Sequence, residues 1–108
     1  MITIKIYKTE DGREPFTRWL SGLRDMVTEE RISKRIRQIA MGHFGDSKFL
    51  GDGVFELRFF FGSGYRVYYG KENDTVVILL CGGDKSTQTK DIETAKIYWQ
   101  KHRNLFYG

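Results

Sequence analysis

Two arginines, Arg58 and Arg66, flank a glycine-containing turn. They lie in the stretches Gly53-Val54-Phe55-Glu56-Leu57-Arg58 and Gly62-Ser63-Gly64-Tyr65-Arg66-Val67-Tyr68-Tyr69. Glycine takes positive φ without a Cβ penalty, and the flanking residues are aromatic or β-branched. A β-hairpin is therefore predicted, with residues 62–64 as its loop and Phe61 opposite Tyr65. The period of two then puts Glu56, Arg58, Phe60, Arg66 and Tyr68 on one face, and Phe55, Leu57, Phe59, Phe61, Val67 and Tyr69 on the other. The second face can be core. The first offers two guanidiniums, a carboxylate and aromatic rings, a combination that suits a phosphate chain carrying bases. The plainer account is that Glu56 and Arg58 form cross-strand ion pairs on a solvated face, each worth about 0.5 kcal/mol.

The chemistry open to such a face is RNA cleavage without a metal. It requires the 2′-oxygen to attack the adjacent phosphorus, a dianionic transition state to be stabilised and the 5′-oxygen to leave protonated. Arg58 and Arg66 supply a fixed positive field, with Lys85 or Lys90 from a neighbouring loop. Glu56 is the one carboxylate on the predicted face. Beside Arg58 it is better suited to positioning an arginine than to taking a proton, and His43 is an alternative group that could reach in. His102 is expected to pack against or cap the last helix. Lys48, Tyr68 and Lys90 are candidate RNA contacts, Tyr68 and Phe60 through stacking. The Gly82-Gly83 pair lacks the P-loop pattern and an acidic partner for magnesium, which argues against nucleotide hydrolysis.

These groups must be held by a small scaffold. The 108 residues fit one domain, 1–108, whose aromatic content of 15% can build a core without disulfides. Cys81, the single cysteine, follows the apolar run Val76-Val77-Ile78-Leu79-Leu80 and is expected to be a buried thiol. With His43 and His102 it makes too few ligands at workable spacing for structural zinc, so no metal and no cofactor is expected. No run approaches membrane-spanning length and no leader-type apolar segment opens the chain, which predicts a cytoplasmic protein. The net charge of +4 favours an acidic partner such as nucleic acid. Arg31, Lys34, Arg35 and Arg37 crowd one segment, and Lys96, Lys101 and Arg103 another.

Ile2, Ile4 and Ile6 alternate with polar residues as a half-buried first strand. Pro15 then opens a helix with Phe16, Trp19, Leu20 and Leu23 on one stripe. Thr28 is placed to cap a second helix that buries Ile32, Ile36 and Ile39, with Glu29 and Glu30 in its first turn. Residues 44–52 read as a surface loop, followed by the hairpin, a central strand over Thr75–Cys81 and a last helix capped by Asp91. The order β-α-α-β-β-β-α predicts an α+β domain. It would have a twisted, mainly antiparallel four-stranded sheet with two N-terminal helices on one face, leaving the opposite face, or the groove beside the last helix, free where Arg58 and Arg66 point.

Three segments carry a family resemblance: Leu50-Gly51-Asp52-Gly53-Val54-Phe55-Glu56-Leu57-Arg58, Gly64-Tyr65-Arg66-Val67-Tyr68-Tyr69 and Gly83-Asp84-Lys85-Ser86-Thr87-Gln88-Thr89-Lys90-Asp91-Ile92. Together they resemble the RelE/ParE superfamily of bacterial toxins, in its HigB-like, phage-derived addiction-module branch. The resemblance implies a toxin that cleaves mRNA on the ribosome, held in check by a small helix-turn-helix, HigA-like antitoxin in a hetero-oligomeric complex. It also implies that Arg66 contacts the scissile phosphate, that Arg58 is the basic position of the preceding strand and that Lys85 stands where relatives carry a further basic or histidine residue. The chain departs from them in having Lys85-Ser86 where some relatives have arginine or a histidine-tyrosine pair. Two other activities remain open: a ParE-like inhibitor of DNA gyrase without nuclease activity, and a non-catalytic nucleic-acid-binding module.

Overall fold

A computed structural model describes the backbone of residues 1–107 and the side chains of residues 1–105. Among these residues the order is β1 (Thr3–Ile6), α1 (Pro15–Ser21), α2 (Met26–Ala40), β2 (Ser47–Phe49), β3 (Val54–Arg58), β4 (Arg66–Glu72), β5 (Val76–Gly83) and α3 (Gln88–Tyr107). A 3₁₀ turn at Lys85–Thr87 leads into α3.

The class is α+β, but the sheet has five strands rather than the expected four, in the order β1-β5-β4-β3-β2. The additional strand is β2, inside the segment read as a loop. It spans only Ser47–Phe49 and leaves Lys48 and Phe49 exposed, so it carries no alternating pattern. β1 runs parallel to β5, and the other pairings are antiparallel.

The apolar stripes of α1 and α2 cover one face, where Phe16, Ile32 and Ile39 join Leu57, Phe59, Val67, Tyr69, Val77 and Leu79. α3 covers part of the other face through Ala95 and Trp99, packed with Val54, Tyr68, Ile78, Leu80 and Cys81. The contact is close because glycines lie beneath the helix: a Cβ at Gly53, in the turn before β3, or at Gly70 in β4 would overlap the Trp99 indole. β5 bulges at Leu80, since Tyr68 pairs with Cys81 while Tyr69 pairs with Leu79. The extra residue turns Leu80 and Cys81 into the same core.

Both long helices begin earlier than expected. Asp25, not Thr28, caps α2: its carboxylate accepts from the Val27 N–H at 3.1 Å and the Thr28 hydroxyl at 2.7 Å, leaving Thr28 buried in the first turn. Asp84 caps the 3₁₀ turn before α3, accepting from the Ser86 N–H at 2.9 Å. Asp91, expected as the α3 cap, lies inside the helix and accepts from the Thr87 hydroxyl.

Candidate active site

The β3–β4 hairpin has the predicted faces but a different register. Arg58 is directly opposite Arg66 and Glu56 opposite Tyr68, with the Phe59 N–H donating to the Tyr65 carbonyl at 3.0 Å. The connecting loop is therefore residues 60–64, longer than the expected 62–64, and Phe61 does not pair with Tyr65. A slip of two residues preserves which side chains share a face. It also brings the two guanidiniums into one cross-strand row.

Two such rows cross the sheet on the α3 side. Lys48, Glu56, Tyr68 and Cys81 form one, and Arg58, Arg66 and Gly83 form the next. The first row runs beneath α3, so the face is only partly free. Tyr68 is 0% exposed and Glu56 is 1% exposed. This corrects the expectation that Tyr68 stacks on bases, because its ring is packed into the core with no surface to offer. The second row is unevenly covered: Gly83 is buried beneath Thr87 and Asp91, the Arg66 side chain is 15% exposed and the Arg58 side chain 33%.

Arg66 Nε stands 3.7 Å from Glu56 Oε2, and its Nη1 donates to the Gly64 carbonyl at 2.7 Å. Arg58 Nε stands 3.6 Å from Asp46 Oδ2, with its guanidinium 5.6 Å from the centre of the exposed Phe60 ring. From α2, Arg35 Nη1 donates to the Arg58 carbonyl at 3.1 Å. The Lys85 N–H donates to the Ser63 carbonyl at 3.3 Å, which ties the start of the 3₁₀ turn to the hairpin loop and leaves the lysine side chain exposed beside Gly64. Three cations of the predicted set are thus carried by adjacent segments. Charge is only partly compensated there, and fixed positive groups with little reorganisation to undergo are what a phosphoryl dianion requires.

Groups that could move a proton are scarce. Glu56 accepts from Gln88 Nε2 at 3.1 Å on the same oxygen that faces Arg66, the arrangement of a positioning carboxylate. Burial, and then the Glu56 carboxylate, push the Tyr68 phenol far above its ordinary range, so it stays neutral. Burial pushes the Cys81 thiol up to about 12. Hydrogen bonds from Ser86 hold the Asp84 carboxyl below the usual carboxylate range, so it stays anionic. His43 is exposed in the turn after α2, anchored by its backbone N–H to the Gln38 carbonyl. His102 stacks on Trp99 with ring centres 5.5 Å apart and pairs with Glu72, in keeping with a packing role. Lys48 is exposed on the edge strand opposite Glu56, and Lys90 is exposed in the first turn of α3. Among the described residues no group of three or more His, Cys, Asp or Glu could hold a metal ion.

Asp46 and Gln88 join the site without a signal of their own in the sequence, and Arg35 only as one of the basic cluster on α2. Asp46 and Arg35 reach Arg58, and Gln88 reaches Glu56, each across a long separation in the chain. Gln88 stands inside the family-like segment Gly83 to Ile92.

Residues 18–100 match the family described as "Phage derived protein Gp49-like (DUF891)". The chain is also 51% identical over 86 residues to an uncharacterized protein of Haemophilus influenzae, a similarity covering 80% of this chain and 87% of that protein.

Proposed function

The chain belongs to the phage-derived Gp49-like family, and from that premise we propose that it is the toxin of a type II toxin–antitoxin pair, a metal-independent endoribonuclease acting on ribosome-bound mRNA. The observation that carries the proposal is the placement of Arg58 directly opposite Arg66, with Arg66 also opposite Gly83, two residues before Lys85.

In this reaction the 2′-hydroxyl gives its proton to solvent water as its oxygen forms a bond to phosphorus, and the bond to the 5′-oxygen breaks as that oxygen takes a proton from water. The products are a 2′,3′-cyclic phosphate and a 5′-hydroxyl. Arg66 and Arg58 stabilise the charge gathered on the non-bridging oxygens, and Lys85, exposed and tied to the hairpin loop by its backbone N–H, offsets the charge on the departing oxygen. Glu56 holds Arg66 and takes no proton. A protein with so few proton-transfer groups gains most from a substrate already bent into the in-line geometry, which a ribosome-bound codon provides. The partner is an antitoxin whose acidic residues complement the exposed Arg31, Lys34 and Arg37 of α2.

Inducible expression with separate, rapid readouts of translation and DNA synthesis tests the proposal. Translation should stop first, with mRNA ends bearing cyclic phosphate. Early arrest of DNA synthesis with intact mRNA would instead identify a gyrase inhibitor.

A further inference from the structure

Beneath the N-terminus of α3, Glu56 Oε2 accepts from Gln88 Nε2 at 3.1 Å and faces the Arg66 guanidinium in an ion pair, with Nε 3.7 Å away. The second carboxylate oxygen, Oε1, the hydroxyl of the opposing Tyr68 and Arg66 Nε are all buried without a hydrogen bond of good geometry, and the phenol already lies close enough to the Glu56 carboxylate to feel its charge. The carboxylate therefore has two directions open to it. Oε2 faces Arg66, and a rotation that brings Oε1 closer to the phenol, which has a proton to donate, swings Oε2 away from the guanidinium. A buried oxygen without a bond costs about 1–3 kcal/mol, so the second direction has an intrinsic pull. What opposes it is the amide of Gln88, which reaches Glu56 from 32 residues away along the chain.

We infer that Gln88 is a positioning residue of the active site: its amide fixes the Glu56 carboxylate toward Arg66, and through it sets the direction in which the Arg66 guanidinium meets the scissile phosphate. Gln88 does not touch the substrate. Its effect reaches the phosphate only through Glu56 and Arg66, and the inference rests on the nuclease reading above. The amide comes from the first residue of α3, immediately after the 3₁₀ turn that carries Lys85. One helix start thus delivers a cation to the site and at the same time aligns a second one.

The experiment compares Gln88→Met, which keeps side-chain length and removes the donor, in two backgrounds: the natural chain and Arg66→Lys, whose charge cannot be aligned through Nε. Single-turnover cleavage of mRNA on purified ribosomes is measured for all four proteins, together with the concentration giving half-maximal rate. Gln88→Met should slow cleavage about tenfold in the natural background with little change in that concentration. In the Arg66→Lys background it should slow cleavage less than twofold, because the group it aligns is already lost. An equal loss in both backgrounds, or no loss in the natural one, overturns the inference. The second readout is the Arg66 Nε–H resonance in ¹⁵N-labelled protein, which does not depend on cleavage. Gln88→Met should broaden it or move it toward the position of a free arginine, and an unchanged resonance also overturns the inference. If the natural protein cleaves no RNA the nuclease reading fails, and the resonance decides the alignment separately.

Discussion

Glu56 and Tyr68 face each other across β3 and β4, and the carboxylate Oε1 and the phenol oxygen are both buried without a hydrogen-bond partner. Two polar atoms deprived of water in one spot are costly for a domain of this size. Their retention beneath α3 is understandable if the carboxylate is needed for Arg66 rather than for stability. The row they occupy gives measurable consequences.

Tyr68→Phe should leave stability unchanged or raise it by up to about 1 kcal/mol, since the hydroxyl removed has no partner to lose. It should also change the response to alkali. Burial raises the Tyr68 phenol above its usual 10.0 and the Cys81 thiol from 9.0 to about 12. Each group then binds its proton more tightly folded than unfolded. Stability is full below the unfolded pKa values and falls as pH rises, from about 9 through Cys81 and more steeply above about 10 through Tyr68 together with Tyr7 and Tyr69, which burial also raises. Denaturant titrations between pH 8 and 11 should show the steep part made shallower in Tyr68→Phe and the shallow part flattened in Cys81→Ala.

Arg66→Ala should abolish growth inhibition, but it also leaves Glu56 buried at 1% exposure without its ion-pair partner. A stability loss of about 1–3 kcal/mol is expected. The double variant Arg66→Ala with Glu56→Gln removes the stranded charge and should recover most of that loss, yet remain non-toxic. Thermal melts beside growth curves separate the two effects. A toxic double variant would remove Arg66 from the reaction.

Arg58→Ala and Lys85→Ala should each slow cleavage of ribosome-bound mRNA tenfold or more, equivalent to about 1.4 kcal/mol of transition-state stabilisation. Arg58 keeps 33% of its side chain exposed and Lys85 is a surface residue. Both variants should therefore melt close to the natural protein, because partly exposed ion pairs contribute little. Cleavage unchanged in both would reduce them to surface charges.

Gly70→Ala places a methyl group where the Trp99 ring lies. Overpacking of this kind costs about 1–3 kcal/mol. The expected result is a lowered melting temperature and a changed tryptophan emission. An alanine accommodated without either change would show that α3 can ride higher on the sheet than its packing implies.

The sequence was most informative where geometry leaves little choice. The two-residue period separated Leu57, Phe59, Val67 and Tyr69 from Glu56, Arg58, Arg66 and Tyr68, and it did so despite a register displaced by two residues, because such a slip leaves the faces alone. Features set by tertiary contact were not legible. β2 exists because Ser47–Phe49 finds the free edge of β3, not because three residues favour a strand. Tyr68 read as an available ring because nothing in the chain announces that Trp99, thirty-one positions later, anchors a helix above its row. Gln88 and Asp46 are ordinary polar residues until the fold brings them to Glu56 and Arg58.

The placement of α3 also has a consequence for the order in which the protein comes into being. Strands β3, β4 and β5 are all synthesised before the helix that roofs them, and the helix comprises the 20 residues Gln88–Tyr107. Until that segment has left the ribosome, Glu56 and Tyr68 have no cover, Glu56 lacks the Gln88 amide and the two-sided core lacks Trp99. A nascent chain therefore holds both arginines long before it holds them in place. Competence arrives late and all together, with the docking of a single helix, so a protein interrupted before that point would release a hairpin rather than a site.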